Sequence, residues 1–291
     1  MSKYLVLGAS GLLGSELLNI LPFSHGTFFN SASKTKDNMS VLDLNDNNEL
    51  ELLLDKVKPE VVINCTGMAN VDLCERFPEK SWRLNCMMPL LLAQKCSVRS
   101  IKFVHVSTDH FLNESRIKLK EVDHAAPINQ YSFSKLNAER FIMAIDKKSL
   151  IIRANFFHFN FKSPKTFLDH LINGIKNGKT ISSFSDVIFT PVSTSQLALY
   201  IKELVEIDFA GIVNISSSET LSKFEFHSAV LSALKLPTEL HLPVALESID
   251  LSAVRPHFMA LDNTFLQKVL GVKVPSVYDM INSELLTDGR R

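Results

Sequence analysis

The sequence has no long apolar run. None of its hydrophobic stretches approaches the ~20 residues that cross a bilayer, so no membrane span is expected. It also lacks net charge, since 31 Lys and Arg balance 31 Asp and Glu. That excludes the basic footprint of a nucleic-acid binder or of a protein held on an anionic membrane. Cysteine is sparse. Cys65, Cys74, Cys86 and Cys96 form no C-x-x-C and sit in apolar or helical patterns, as free thiols of a cytoplasmic protein do. The nine histidines are scattered, with no H-E-x-x-H, so no metal is expected. Lys3 and the apolar residues after it are too short and too soon broken by glycine for a signal peptide. The expected compartment is the cytoplasm.

What is present begins at the N-terminus. Tyr4-Leu5-Val6-Leu7 reads as a buried strand, and a helical pattern runs over 12–21. Between and into them fall Gly8, Gly11 and Gly14, spaced G-x-x-G-x-x-G. In that setting the first glycine makes the tight turn, the second admits a pyrophosphate to the helix N-terminus, and the third lets helix and sheet pack closely. Glycines after a strand also serve plain turns; the strand–helix context favours the dinucleotide. A second strand is expected over 26–30. At its end an acid would bind the ribose of NAD, but Asn30, Ser31 and Ser33 stand there, followed by Lys34 and Lys36. That leans toward NADP(H), with NAD(H) and a simple polar loop both left open.

Further strands are expected at 41–44, 61–65, 102–107 and 149–153, and helices at 45–57, 79–96 and 131–144, with Pro89 kinking or splitting the second. Strand and helix alternate with short links, which demands a doubly wound parallel sheet, an α/β Rossmann fold. Beyond Arg153 the texture changes. Residues 1–153, with a returning segment at about 187–215, are assigned to the dinucleotide-binding domain, and 154–186 and 216–291 to a smaller interleaved substrate lobe. Ser222 and Glu225 have the spacing of a capping box.

Tyr131 and Lys135 stand four apart on a helical pattern and so share a face. A free phenol has a pKa of about 10; a nearby ammonium stabilises the phenolate and brings it toward neutrality. Thr108, at the end of the 102–107 strand, could hold a carbonyl oxygen where charge develops. Taken singly, an ordinary surface pair and a capping Ser107-Thr108 are the plain alternatives. Together with the glycine turn, these residues resemble the extended short-chain dehydrogenases/reductases, and among them the dTDP-4-dehydrorhamnose reductase family and its sugar-nucleotide relatives. Val71-Asp72-x-Cys74-Glu75, Trp82-x-x-Asn85, Asp123-x-x-x-Pro127-x-Asn129-x-Tyr131, Thr190-Pro191 and Arg255-Pro256 also have counterparts there. Four places depart from the family pattern: Ser132 replaces a glycine, His110-Phe111 follow Asp109, Phe156 stands for a tryptophan, and Thr66-Gly67-Met68 replace small alanines.

The resemblance implies NADPH-dependent reduction of a 4-keto-6-deoxy sugar nucleotide, in polysaccharide biosynthesis. It implies catalysis by Thr108, Tyr131 and Lys135. It places the cofactor on Gly8, Ser10, Gly11, Leu12, Leu13, Gly14, Asn30, Ser31, Asp43, Leu44, Cys65, Thr66, Gly67 and Asn85 as well as Tyr131 and Lys135. The substrate falls to Val71, Asp109, Phe156 and Arg255. Two alternatives stand beside it: an NAD-retaining sugar-nucleotide epimerase or dehydratase, and a non-catalytic NADP-binding regulatory subunit. The partner expected is the sugar nucleotide, with neither nucleic acid nor membrane; oligomeric state is open, a homodimer being one option.

Overall fold

The protein is described by a computed structural model over residues 3–28, 39–41, 47–111, 115–159 and 166–287. Two compact units make up the chain. The first is Met1–Thr108, Asn129–Arg153 and Leu197–Val213; the second is Asp109–Ile128, Ala154–Gln196 and Asn214–Arg291. No helix among the described residues is long and apolar enough to cross a membrane.

In the first unit the chain runs β1 (Tyr4–Leu7), α1 (Leu12–Ile20), β2 (Ser24–Phe28), β3 (Met39–Val41), α2 (Asn47–Val57) and β4 (Val61–Asn64). It continues through α3 (Val71–Arg76), α4 (Pro78–Trp82), a π turn (Arg83–Met87), α5 (Met88–Val98), β5 (Lys102–Val106), α6 (Gln130–Ile145) and β6 (Leu150–Arg153). The sheet has the order β3-β2-β1-β4-β5-β6, with Gly211–Asn214 at its end. The pairs from β3 to β6 are all parallel. From β1 the chain winds outward to β3, then crosses back to β4 and winds the other way. Strand order therefore reverses between β1 and β4, and the crevice beyond their carboxyl ends is where open α/β sheets take ligands.

The wholly apolar strands are buried on both faces, as parallel strands must be. Leu5, Leu7, Val62 and Phe103 of the sheet meet Leu50, Leu53, Leu54 and Val57 of α2, Leu92 and Cys96 of α5, and Ile142 of α6. The leucines of α2 recur at helical spacing, so one stripe supplies the contact. Each fully buried side chain of this kind contributes about 1.5–3 kcal/mol.

The described elements add to the sequence reading. Of the third strand, expected over 41–44, Met39–Val41 is described and 42–44 lie outside the described residues. Asn30, Ser31, Asp43 and Leu44, with the lysines at 34 and 36, lie outside the described residues. A short helix, α3, occupies 71–76, capped by Asn70, whose Oδ1 accepts from Leu73 N at 2.9 Å. The helix expected over 79–96, with Pro89 kinking or splitting it, is divided just before Pro89 into α4, the π turn and α5; Met88 N–H reaches the Arg83 carbonyl and Pro89 falls in the first turn of α5. Proline has no N–H and crowds the carbonyl four residues back. A wider turn just before Pro89 absorbs that mismatch, and such π turns recur at functional sites.

The second unit is built from short pairs. Ile181–Phe184 runs parallel to His241–Val244, Phe156–Phe157 parallel to Val192–Ser193, and Ile188–Phe189 antiparallel to Leu221–Ser222. Phe226 packs on Phe157 and Phe189, with ring centroids 5.0 and 5.6 Å away. The helix Lys223–Ala233 opens with the expected box: Ser222 Oγ accepts from Glu225 N at 3.1 Å and Glu225 Oε2 accepts from Ser222 N at 2.7 Å.

Candidate active site

Gly8 leaves β1 with φ +83°, a left-handed conformation that side chains resist. A Cβ there would also sit 3.1 Å from the Cys65 carbonyl. At Gly14 a Cβ would lie 2.3 Å from the Gly8 oxygen, so only glycine lets α1 pack this close to the turn. α1 starts without a side-chain cap and without an acid in its first turn. Its opening N–H groups and dipole are left to favour an anion. Leu13 and Gly14 are buried under the helix, Leu12 is half-buried, and Ser10 and Gly11 are exposed at the turn.

A cavity of about 820 Å³ lies in the second unit and one of about 560 Å³ in the first. The latter has Gly8, Ser10 and Gly11 on its wall, and Cys65, Thr66 and Gly67 from the end of β4. Six of the residues expected to hold the cofactor thus line one cavity at the β1/β4 crevice. Burial pushes the Cys65 thiol up to about 12, so it stays protonated at neutral pH. Asn85, in the π turn, is fully buried. Its Oδ1 accepts from Met68 N at 2.7 Å and its Nδ2 donates to Met68 O at 3.1 Å, which pins the loop after β4.

Two residues that the sequence reading passed over, Lys80 and Arg83, line the same cavity. Both are exposed, so their attraction for phosphate is screened by salt. The K80A/R83A variant is expected to bind NADPH about tenfold more weakly at low salt, ~1.4 kcal/mol. The gap should narrow at high salt in fluorescence titrations; equal affinities at low salt would exclude these cations from the site.

α6 carries Tyr131 and Lys135, the pair expected to be catalytic. Asn129 Oδ1 accepts from Ser132 N at 2.9 Å, and Ser132 Oγ accepts from Asn129 N at 3.2 Å. The serine that departs from the family glycine thus completes a capping box beside Tyr131. Tyr131 is half-buried and Lys135 is buried. Ser134 Oγ donates to the Tyr131 carbonyl at 2.8 Å and lies 3.3 Å from Ser81 Oγ. Lys135 Nζ donates to Val106 O at 2.6 Å and lies 3.2 Å from His105 Nε2. Burial brings the Lys135 amine down to about 8, against the pull of Glu139.

Thr108 follows β5 and is buried. The strand end beside it is anchored twice. Ser107 N donates to Ile152 O at 2.6 Å, and Ser107 Oγ donates to the Glu139 carboxylate. Glu139 in turn takes Arg153 in a fork: Nε lies 3.1 Å from each oxygen and Nη2 2.6 Å from Oε2. Glu139, Arg153 and His105 were also missed. Their signal was a charged or polar residue at a position the apolar pattern marks as buried.

Val71 opens α3 in the first unit, half-buried. The other expected substrate residues belong to the second. Asp109 is buried and its carboxylate accepts from Asn155 Nδ2 at 2.9 and 3.2 Å. Burial raises its pKa to about 6, opposed by Lys223, whose own amine burial lowers to about 8. Phe156 sits in the short strand paired with Val192–Ser193. Arg255 lines the 820 Å³ cavity with Arg116, its Nη1 donating to Ala253 O at 2.9 Å. His110 is held down to about 3, by burial first and then by Arg255 and Lys223.

Known proteins share this architecture. A probable low-salt glycan biosynthesis reductase, Agl14 of Haloferax volcanii, is 28% identical over 94% of each chain. Methionine adenosyltransferase 2 subunit beta of Xenopus laevis is 23% identical over 94% of this chain and 84% of its own. The crystal structure of dTDP-4-dehydrorhamnose reductase from Bacillus anthracis in complex with NADP superposes with a TM-score of 0.87, covering 99% of this chain and 100% of that one at 23% identity. The sequence profile of the RmlD substrate binding domain matches residues 2–286. With nearly its whole length inside that match, and with the glycine turn, Thr108, Tyr131 and Lys135 on one unit, the chain belongs to the RmlD substrate binding domain family.

Proposed function

We propose that this chain is an NADPH-dependent oxidoreductase that reduces the 4-keto group of a 6-deoxy sugar nucleotide, supplying nucleotide sugars for polysaccharides. One observation carries the reading. The crevice at the strand-order reversal holds a glycine cradle that any Cβ would fill, while the same unit buries Lys135 one turn from Tyr131. The cradle, the uncapped start of α1 and the two cations at the cavity fit a dinucleotide's phosphates. The absence of an acid over 30–36, together with the NADP named for the Bacillus anthracis relative, supports NADPH over NADH.

When bound, the dinucleotide supplies the hydride. The chain's own residues do the rest. Tyr131 donates its phenolic proton to the oxygen that becomes a hydroxyl, and Lys135 stabilises the phenolate left behind. Thr108, fixed by the anchors of the strand end before it, holds the same oxygen by its hydroxyl. Asn85 shapes the loop after β4 that borders the dinucleotide. Asp109, Phe156, Arg255 and Val71 are assigned to the substrate, Arg255 for its planar fork toward a diphosphate.

The similarity to the methionine adenosyltransferase subunit favours one second reading, a cofactor-binding regulatory subunit. An epimerase or dehydratase is the third. NADPH oxidation with a panel of 4-keto-6-deoxy sugar nucleotides separates them. Stoichiometric oxidation with one member is expected. Sugar conversion without net oxidation would mark an epimerase or dehydratase. Tight cofactor binding with no turnover on any member would mark the regulatory role.

A further inference from the structure

Asn64, His105 and Lys135 form a buried chain of contacts in the first unit. The orientation of the Asn64 amide is fixed by a backbone donor, because Thr66 N–H can only donate and lies 3.0 Å from Oδ1. Thr66 Oγ1 reaches the same oxygen at 2.6 Å. The amide nitrogen therefore faces His105 Nδ1, 3.1 Å away, and it too can only donate. Nδ1 must then be the bare, accepting nitrogen. Burial, reinforced by Lys135, keeps the imidazole well below its ordinary range and hence neutral. A neutral ring with a bare Nδ1 carries its proton on Nε2.

That N–H points at Lys135 Nζ, 3.2 Å away. It can be accepted by the lone pair of an amine but not by an ammonium. The Val106 carbonyl meanwhile takes a proton from Nζ at 2.6 Å. For Lys135 to be an ammonium donating to Nε2, the ring must move its proton to Nδ1. Two N–H groups would then face each other at Asn64, and a buried hydrogen bond would be lost. The other titratable groups facing Lys135 are Glu139 on α6, Cys65 beyond β4 and Cys86 in the π turn; Glu139 favours the ammonium, and the two thiols would do so only as thiolates, which burial disfavours. The charged group facing His105 is Lys135 itself.

We infer that Asn64 and His105 are a positioning pair for the reaction: by locking the imidazole with its proton on Nε2 they favour the neutral amine of Lys135, and so set the pH above which Tyr131 loses its ammonium partner. The effect on turnover rests on the reductase reading; the tautomer does not.

Nitrogen NMR of protein labelled in its histidine rings tests the tautomer without cofactor or substrate. The His105 signals, identified by their loss in H105Q or by assignment through the wild-type backbone should that variant not fold, are expected to show a bare Nδ1 and a protonated Nε2. A protonated Nδ1, or an imidazolium, overturns the inference. The second arm is Asn64→Asp. A carboxylate at 64 still accepts from Thr66 but must also accept from Nδ1–H, which reverses the ring and turns Nε2 into an acceptor for the ammonium. The spectrum should invert, a change that added negative charge alone would not produce. The alkaline limb of kcat/KM should move up by about one pH unit, tenfold in proton affinity. An inverted ring with an unmoved limb would remove the pair from the reaction. If no sugar nucleotide turns over at all, the reductase reading fails while the nitrogen spectra still decide the tautomer.

Discussion

Replacing Tyr131 by phenylalanine is expected to lower kcat/KM by about 10²–10⁴-fold, the usual range for a lost general acid, while the NADPH affinity stays within about twofold. The change removes one oxygen from a half-buried side chain. It spares the Asn129–Ser132 box that starts α6, and the Ser134 bond to the Tyr131 carbonyl, which involves the backbone. The glycine cradle, the uncapped helix start and the cations at the cavity are untouched. Stopped-flow turnover and equilibrium fluorescence titration on the same preparation separate the two effects. Retained turnover would end the assignment of Tyr131 as the acid; lost cofactor affinity would mean the phenol serves binding instead.

The second large effect is on stability. Glu139→Ala should cost about 3–5 kcal/mol in urea denaturation, because breaking a buried ion pair leaves a charge with no counterpart. Glu139 is 1% and Arg153 3% exposed, so neither can turn to water in the folded state. Pairing two charges underground is costly in itself, so a double replacement by apolar residues of similar size, E139L/R153M, should recover most of the loss. The alanine variant should also lose activity beyond its lost stability. Glu139 holds Ser107, the neighbour of Thr108, and it is the leading influence keeping Lys135 charged. A cost below ~1 kcal/mol, typical of exposed pairs, would show that the pair is solvated in solution.

The parallel sheet was legible because its strands are short, mostly apolar and bounded by turns. Tyr4 to Leu7 and Val61 to Ile63 have no polar face to offer solvent, as strands buried on both faces require. The glycine turn was legible because its function is steric and local. The Ser222–Glu225 box was legible for the same reason, since both partners lie within one turn of helix. Boundaries were less so. Nothing in residues 79–96 announces the π turn before Pro89, or that Asn85 within it bonds Met68 in the loop after β4.

The amino-acid order by itself determined the element types, the alternation that forces a doubly wound sheet, and the pairing of Tyr131 with Lys135 on one helical face, all of which follow from contacts within a few residues. Only the tertiary structure decided which loops share a cavity, that Lys80 and Arg83 border it, that Glu139 answers Arg153, and which nitrogen of His105 bears the proton. For the buried groups the physical reason is the same. A buried polar atom is defined by partners that lie far away along the chain, from 14 residues between Glu139 and Arg153 to 41 between Asn64 and His105, and no local pattern encodes where those partners will fall.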